Sequence, residues 1–350
     1  MDLAAVRQAA TRQAERVTPG IDDLAGYRAA QVADQQHNEA IGPMLDGAGA
    51  SGVVVHRGRT IAQWGDPDRP EMCFSLTKSL LATVAGLAVR RGLLADVDEP
   101  VSQRVDHPAF TSQHARRITW RHLLQQTSGW NGELWGKPTW VDTQSGPDGH
   151  ADSAPGAVWA YNDVRVNLLA LALTLLWRRG LGDVLRTELL DPLGISSSWS
   201  WHGYTNSDIV IDGQTVPVVS GGAHWGGGVW ASAQDLALLG VLYLTESATP
   251  TDQTQGGSAG AKRLFLGPEW IEASWRPSDA NPDYGYMWWL NDGGRVFPAA
   301  PTTGRCARGN LGRHLLWVDP ARELVIVSHW GNEPEILLRD VSAAVPPSVW

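Results

Sequence analysis

Segments with β-strand character lie near both ends of the chain and enclose a long helical middle, and this order limits the folds available to it. Such segments occur at 52–64, 208–219, 286–290, 314–318 and 323–329. The first predicts a β-hairpin, because two β-rich runs flank the sequence His-Arg-Gly-Arg. Strands at both ends with helices between them predict an α+β fold, in which the N-terminal hairpin completes an antiparallel sheet built from the C-terminal part.

Helical periodicity and capping residues predict the remaining elements. Helices are expected at 75–92, 119–127, 163–179, 183–191, 233–245 and 268–274. The chain of 350 residues is long enough for one large domain or two medium ones. We expect a single catalytic domain, 1–350, with an α/β lobe (1–90 plus 208–350) and a helical lobe (91–207). The Gly-, Ser- and Gln-rich stretch 248–262 is expected to be an exposed insertion.

The charge balance and the N-terminus restrict the partners and the location of the protein. The 28 basic and 37 acidic residues give a formal net charge of -9, which disfavours nucleic acid and anionic membranes as partners. The N-terminus lacks the basic and apolar segments of a secretory signal. No stretch approaches the 18 or so uncharged apolar residues of a membrane span. A cytoplasmic location is therefore expected.

Cys73 and Cys306 are the two cysteines of the chain. They form no Cys-x-x-Cys pair, and no cluster of His and Cys suggests a structural metal. We therefore expect no metal and no cofactor. Both cysteines lie close in sequence to the motifs described next, which leaves open whether they are neighbours in space.

Ser75 and Lys78 form a Ser-x-x-Lys motif at a predicted junction between a loop and a helix. A serine hydroxyl is a weak nucleophile and needs a base in contact with it. Residues three apart share one face of a helix, so the two side chains are able to meet. The start of a helix also stabilises developing negative charge, and the Ser75 N–H is a suitable oxyanion donor. The motif predicts a nucleophilic serine, although four residues alone are weakly specific.

Five segments, in order, resemble the serine β-lactamase-like superfamily, which includes class C β-lactamases, penicillin-binding carboxypeptidases, family VIII esterases and nylon-oligomer hydrolases. The segments are 74–79 (FSLTKS), 118–129 (ITWRHLLQQTSG), 155–163 (PG and WAYND), 226–236 (GGGVWASAQDL) and 308–320 (RGNLGRHLLWVDP). The resemblance covers roughly 45–335. It implies the fold of β-lactamases and penicillin-binding proteins, with an antiparallel sheet flanked by helices and a mostly helical lobe.

The resemblance also implies roles for individual residues. Tyr161 is the tyrosine of the second motif and is expected to shuttle a proton between Ser75 and the leaving group. The backbone N–H groups of Ser75 and Asn310 are expected to form the oxyanion hole. The residues alone leave an alternative for two of these side chains. Lys78 could be a solvated lysine on a helix surface, and Tyr161 could be a tyrosine of the core.

Two departures from the family pattern change the expected chemistry. Asp163 stands where the second motif usually has Asn, and a carboxylate beside Lys78 favours the ammonium form. We therefore hypothesise that Tyr161, helped by the positive charge of Lys78, carries more of the base role; the alternative is that Asp163 caps the following helix. The third motif lacks Lys-Thr-Gly, and Arg308 supplies a positive charge there or is a surface residue. Substantial β-lactamase activity is not expected.

Tryptophans on the predicted loops suggest an apolar substrate cleft. Trp130, Trp135, Trp159 and Trp225 are the candidates for substrate binding, with packing in the core as the alternative for each. His224 is not assigned a catalytic role.

Three functions fit these residues. The first is a serine hydrolase that cleaves a small-molecule amide or ester through an acyl-enzyme on Ser75. The second is an acyltransferase that uses the same intermediate with an amine or alcohol acceptor. The third is a non-catalytic penicillin-binding-like sensor, which the intact set of Ser75, Lys78 and Tyr161 disfavours.

Overall fold

The fold is an antiparallel sheet between two layers of helices, as the sequence predicts. A computed structural model describes residues 1–32, 37–142, 153–249 and 264–348. Its α-helices are α1 (Leu3–Glu15), α2 (Leu24–Gln31), α3 (Thr77–Arg90), α4 (Trp120–Leu124), α5 (Asp163–Trp177), α6 (Leu181–Leu185), α7 (Asp191–Leu193), α8 (Ala233–Ser247), α9 (Pro268–Ser274) and α10 (Pro334–Ala344). Its strands are β1 (Ser51–His56), β2 (Arg59–Trp64), β3 (Glu71–Met72), β4 (Glu133–Leu134), β5 (Lys137–Pro138), β6 (Ser200–His202), β7 (Ile209–Ile211), β8 (Gln214–Val216), β9 (Gly228–Ala231), β10 (Trp289–Leu290), β11 (Arg305–Gly309), β12 (His314–Asp319) and β13 (Leu324–His329).

The main sheet has six strands in the order β10-β11-β12-β13-β1-β2. The N-terminal hairpin β1–β2 joins the C-terminal strands through the antiparallel pairing of β1 with β13, in which Val53 lies opposite Val327. The predicted closure of the sheet by the N-terminal hairpin is therefore confirmed.

Alternate residues of these strands feed two hydrophobic cores, because successive side chains of a strand point to opposite faces. Val53, Val325 and Val327 belong to the core shared with α3, α5 and α8. Val54 and Ile326 belong to the core shared with α1 and α10. Both faces of the sheet are covered by helices, which explains why its central strands β1, β12 and β13 contain long apolar runs.

Two predicted strands differ from the structure, and one strand of the main sheet was missed. The 208–219 segment forms a separate hairpin, β7–β8, outside the main sheet, and 286–290 contributes only the two residues of β10. Strand β11 was not predicted, because Arg-Cys-Ala-Arg-Gly has no clear apolar alternation. Most of the predicted insertion 248–262 lies outside the described residues, and the division into two lobes stays a prediction.

A second sheet has the strand order β3-β9-β6. Strand β3 leads into the turn before α3, so this sheet places the start of α3 beside β9. The Cys73 N–H donates to the Val229 carbonyl at 2.8 Å. The Thr77 hydroxyl accepts from the Val229 N–H at 3.0 Å. These bonds fix the Ser-x-x-Lys segment against Val229 of β9.

The two cysteines are buried, unpaired thiols. Cys73 belongs to the core on the α3 side of the sheet, and Cys306 belongs to the core on the α1 side. In the described part of the chain, no helix is long and apolar enough to cross a bilayer. The predicted cytoplasmic location is not tested by this observation.

Candidate active site

Ser75 lies in a 3₁₀ turn, Phe74–Leu76, that leads directly into α3. The Lys78 ammonium nitrogen lies 2.8 Å from the Ser75 hydroxyl oxygen. The Lys78 side chain is buried, with 1% of the residue exposed. The alternative of a solvated lysine on a helix surface is therefore wrong.

Tyr161 and Asp163 approach this pair from the start of α5. The Gln126 carbonyl accepts from the Ala160 N–H at 3.0 Å. The Gln126 side-chain oxygen accepts from the Asn162 N–H at 2.9 Å. Gln126 thus holds the backbone on both sides of Tyr161, whose ring centroid lies 4.5 Å from the Lys78 nitrogen.

Asp163 does not cap α5. Asn162 is the N-cap, and its side-chain oxygen accepts from the Arg165 N–H at 3.1 Å. The Asp163 carboxylate instead accepts from the Lys78 ammonium at 3.0 and 3.1 Å. The alternative role as a helix cap is therefore wrong, and the expected contact between Asp163 and Lys78 is present.

The ion pair between Lys78 and Asp163 sets the charge state of the lysine. Burial on its own lowers the pKa of the Lys78 ammonium, but the charge of Asp163 and the hydrogen-bonded Tyr161 more than offset it. The pKa of Lys78 is therefore raised above its ordinary value of 10.5. Lys78 is an ammonium donor to Ser75 at neutral pH and not a free amine.

Gly222 leaves the space that this ion pair occupies. A Cβ atom at Gly222 would lie 1.6 Å from an Asp163 carboxylate oxygen and 2.5 Å from the Lys78 nitrogen. The Gly222 carbonyl lies 3.4 Å from the Ser75 hydroxyl oxygen. Only a glycine at this position lets the backbone come so close to the charged groups.

Ser75 and Tyr161 open into a cavity of about 530 Å³, a size suited to a small molecule. Its lining residues are Arg28, Gln31, Val32, Phe74, Ser75, Trp159, Tyr161, Gly222, Ala223, His224, Trp289, Arg308, Asn310 and Leu311. Four of them that are not glycine have positive φ values, namely Phe74 (50°), Ala223 (60°), Asn310 (46°) and Leu311 (59°). Strained backbone of this kind concentrates at functional sites.

Asn310 lies at the rim of the same cavity, immediately after β11. A Cβ atom at Gly309 would lie 2.2 Å from the Cys73 carbonyl oxygen and 3.0 Å from the Ser75 nitrogen. The end of β11 therefore packs directly on the backbone of the nucleophile turn. This packing brings Asn310 beside Ser75, and the backbone oxyanion hole of Ser75 and Asn310 stays a prediction.

Arg308 faces the cavity. Its guanidinium carbon lies 3.9 Å from the centroid of the Trp289 ring, a cation–π contact. Trp289 also packs on Tyr161 with a centroid distance of 5.7 Å. Trp159, one of the predicted tryptophans, completes this aromatic wall and lies 5.9 Å from Trp289.

The structure does not bring Trp130, Trp135 and Trp225 into the cavity. The indole nitrogens of Trp130 and Trp225 donate to the carbonyls of Ala109 and His37, and both rings are buried. Trp135 packs edge-on against a buried tyrosine, with the ring centroids 5.6 Å apart. The assignment of these three residues to substrate binding is therefore corrected to packing.

Sequence reasoning missed Arg28 as a lining residue and left His224 unassigned. Burial lowers the pKa of His224 to about 3, against a weaker opposing effect of Asp163. The imidazole is therefore neutral near pH 7. Arg28 lies on α2, far in sequence from the motifs and with no motif of its own, so only the tertiary structure reveals it.

The sheet and its helices thus place Ser75 and Tyr161 at one cavity, with Lys78 in contact with Ser75. The family model described as Beta-lactamase matches residues 37–332, which is most of the chain. The chain belongs to this β-lactamase family. A search of curated protein sequences found no significant match.

Solved structures support the fold. A D-stereospecific amidohydrolase from Streptomyces sp. has 15% sequence identity and a TM-score of 0.59, covering 99% of this chain and 100% of its own. EstCE1, a hydrolase with promiscuous acyltransferase activity, has 15% identity and a TM-score of 0.58, with coverages of 96% and 99%. A β-lactamase from Mycobacterium bovis has 18% identity and a TM-score of 0.56, with coverages of 91% and 100%.

Proposed function

We propose that the protein is a serine hydrolase that cleaves a small-molecule amide or ester through an acyl-enzyme on Ser75. The observation that carries the proposal is the 2.8 Å contact between the Ser75 hydroxyl and a buried Lys78 that is itself paired with Asp163. Ser75 lines a cavity of about 530 Å³ and contacts a buried cation, which is the electrostatic setting that favours negative charge on a serine nucleophile.

In this mechanism Tyr161 acts as its phenolate, which the Lys78 ammonium stabilises, and the Ser75 oxygen forms a bond to the substrate carbonyl carbon as its proton passes to the Tyr161 oxygen. The raised pKa of Lys78 supports this division of roles, because a lysine held as ammonium is a poor proton acceptor. Lys78 instead stabilises negative charge that develops on the serine and tyrosine oxygens. The N–H groups of Ser75 and Asn310 stabilise the oxyanion.

Collapse of the tetrahedral intermediate breaks the bond to the leaving amine or alcohol, which takes the proton from Tyr161. Water then attacks the acyl-Ser75 carbonyl, Tyr161 accepts a proton from that water, and the proton returns to Ser75 as the acid departs. Neutral His224 lines the cavity and has no proton-transfer step in this scheme.

The test of hydrolysis is pre-steady-state release of p-nitrophenol from p-nitrophenyl butyrate. An acyl-enzyme route predicts a burst equal to the enzyme concentration whenever deacylation is the slower step. Ser75→Ala is expected to abolish both the burst and the turnover. Turnover that survives in Ser75→Ala contradicts the proposal.

Acyl transfer to an amine or alcohol is the second candidate. Phe74, Trp159 and Trp289 give the cavity apolar walls, and such walls favour an organic acceptor over water. Adding increasing concentrations of a primary amine to the ester assay measures how the acyl-enzyme partitions between amide and acid. Amide formation well above the background reaction supports transfer, whereas acid as the only product supports hydrolysis.

A further inference from the structure

Arg28 of α2 lines the cavity that contains Ser75. It lies outside residues 37–332, which the family model matches. The mechanism above gives it no role. Arg28 is therefore a residue of the cavity lining that the proposed chemistry leaves unexplained.

Arg28 is a buried cation without the hydrogen bonds that such a group requires. The residue is 7% exposed, and its Nε and Nη2 atoms have no hydrogen-bond partner among the described residues. Arg69 and Arg305 also have a buried nitrogen of this kind, but each forms an ion pair, with Glu71 and Asp292 respectively. A buried charge that lacks such bonds is costly, and an anion in the cavity would offset that cost.

The surrounding contacts hold Arg28 in place. Asn310 donates to the Tyr27 hydroxyl at 2.8 Å and accepts from the Gln31 amide at 3.2 Å. The start of α2 is fixed by Asp46, which accepts from the Leu24 N–H at 2.9 Å. Tyr27 and Gln31, which flank Arg28 in sequence, therefore both contact Asn310 at the rim of the active site.

The charges around the cavity favour an anionic ligand. Arg28 and Arg308 are the charged residues of its described lining. Behind them, Lys78 and Asp163 neutralise each other. Burial lowers the pKa of Arg28, and the more distant carboxylates of Asp163 and Asp142 offset this only in part. Arg28 and Arg308 are therefore the two positive side chains of the described lining.

We propose that Arg28 binds a carboxylate of the substrate, so that the enzyme acts on amides or esters that have a free carboxylate group. The planar guanidinium offers paired N–H donors that match the two oxygens of a carboxylate. Arg308, stacked on Trp289, supplies the second positive charge of the pocket. This specificity rests on the proposed acyl-enzyme at Ser75.

The test compares two pairs of esters. Mono-p-nitrophenyl glutarate and its methyl ester differ in the charge of the acyl group. 4-Carboxyphenyl butyrate and its methyl ester differ in the charge of the leaving group. The wild-type enzyme is expected to have the higher kcat/KM for the acid of at least one pair. Arg28→Met is expected to lower that preference by about 10- to 100-fold, the range for a charge-assisted hydrogen bond.

Two further variants separate binding from folding. Arg28→Lys keeps the charge but loses the paired donors, and an intermediate preference is expected. Arg276→Met removes an exposed arginine paired with Glu272 and is expected to leave the preference unchanged. A wild-type enzyme that prefers the methyl ester in both pairs, or an unchanged preference in Arg28→Met, overturns the proposal.

If the catalytic proposal is wrong, the result is different: Ser75→Ala hydrolyses the esters as fast as the wild-type enzyme, or neither protein hydrolyses them. Binding of monomethyl glutarate to Ser75→Ala, measured by calorimetry, tests Arg28 in that case. Binding that weakens at least about tenfold in Ser75→Ala/Arg28→Met supports the carboxylate site. Equal binding by both proteins, or none to either, contradicts it.

Discussion

Replacement of Asp163 by Asn tests how the active site holds its charge. The substitution keeps the shape of the side chain and removes the carboxylate that contacts the Lys78 ammonium at 3.0 Å. Both side chains are at least 98% buried, at 2% and 1% exposure. Removing one partner of such a pair costs about 3–5 kcal/mol of unfolding free energy, because the other charge stays in a low-dielectric site.

The pH dependence of this loss has a defined sign. In the wild type the pKa of Lys78 is raised, so its contribution to stability is complete below the unfolded value of about 10.4 and is lost only above it. In Asp163→Asn burial dominates, and the pKa of Lys78 falls below the unfolded value. The variant is then least stable near neutral pH and recovers by up to about 1.4 kcal/mol per pH unit as the pH rises towards 10.

Urea denaturation at pH 7.5 and 9.5, together with the pH profile of kcat/KM, measures both effects. The stability difference between wild type and variant is expected to shrink between the two pH values. The alkaline limb of the profile is expected to move to lower pH, because the helpful ammonium is lost earlier. Asp235→Asn is the control, since this buried carboxylate accepts from the uncharged Ser196. An unmoved profile in Asp163→Asn would refute the assignment of Lys78 as a fixed positive charge.

Three other variants probe single features of the site. Gly222→Ala places a Cβ within 1.6 Å of the buried Asp163 carboxylate and is expected to lower kcat/KM at least about 100-fold. Gly182→Ala is the control, because the nearest atom to its added Cβ is 3.8 Å away, and it is expected to have little effect. Similar losses of kcat/KM in both variants would contradict this expectation. Tyr161→Phe removes the proposed proton carrier and is expected to lower kcat by about 10²- to 10⁴-fold, against less than about threefold for buried Tyr243→Phe. Arg28→Met removes a buried cation and is expected to raise Tm by about 1–3 °C in thermal denaturation; a large drop in Tm would indicate a structural role.

Local sequence predicted the part of the site that lies on one or two adjacent turns. Ser75 and Lys78 share a helix face, and Tyr161 and Asp163 flank a single helix start. The contact of Asp163 with Lys78 also followed from placing two motifs together. Backbone spacing within a few residues explains the meeting of Ser75 and Lys78, whereas the approach of Tyr161 and Asp163 to that pair followed from the resemblance to the family.

The walls of the cavity were less predictable. Trp130 and Trp225 resemble cleft residues in sequence, but their indole N–H groups find carbonyl partners in the interior. Trp289 and Arg28 reach the cavity from β10 and α2, which are far apart in the chain. Apolar or basic character at a single position does not reveal which distant element it will face, so tertiary packing decides these assignments.

The central claim is that Ser75 is the nucleophile, and intact mass spectrometry after exposure to a fluorophosphonate tests it most directly. The account predicts one phosphonyl adduct, with loss of fluoride, on the tryptic peptide that contains Ser75. Ser79→Ala is the matched control, because Ser79 lies in the first turn of α3, directly after the Ser75 turn, and donates to the Met287 carbonyl at 2.6 Å. The adduct should persist in Ser79→Ala and disappear in Ser75→Ala. An adduct that persists in Ser75→Ala would contradict the account.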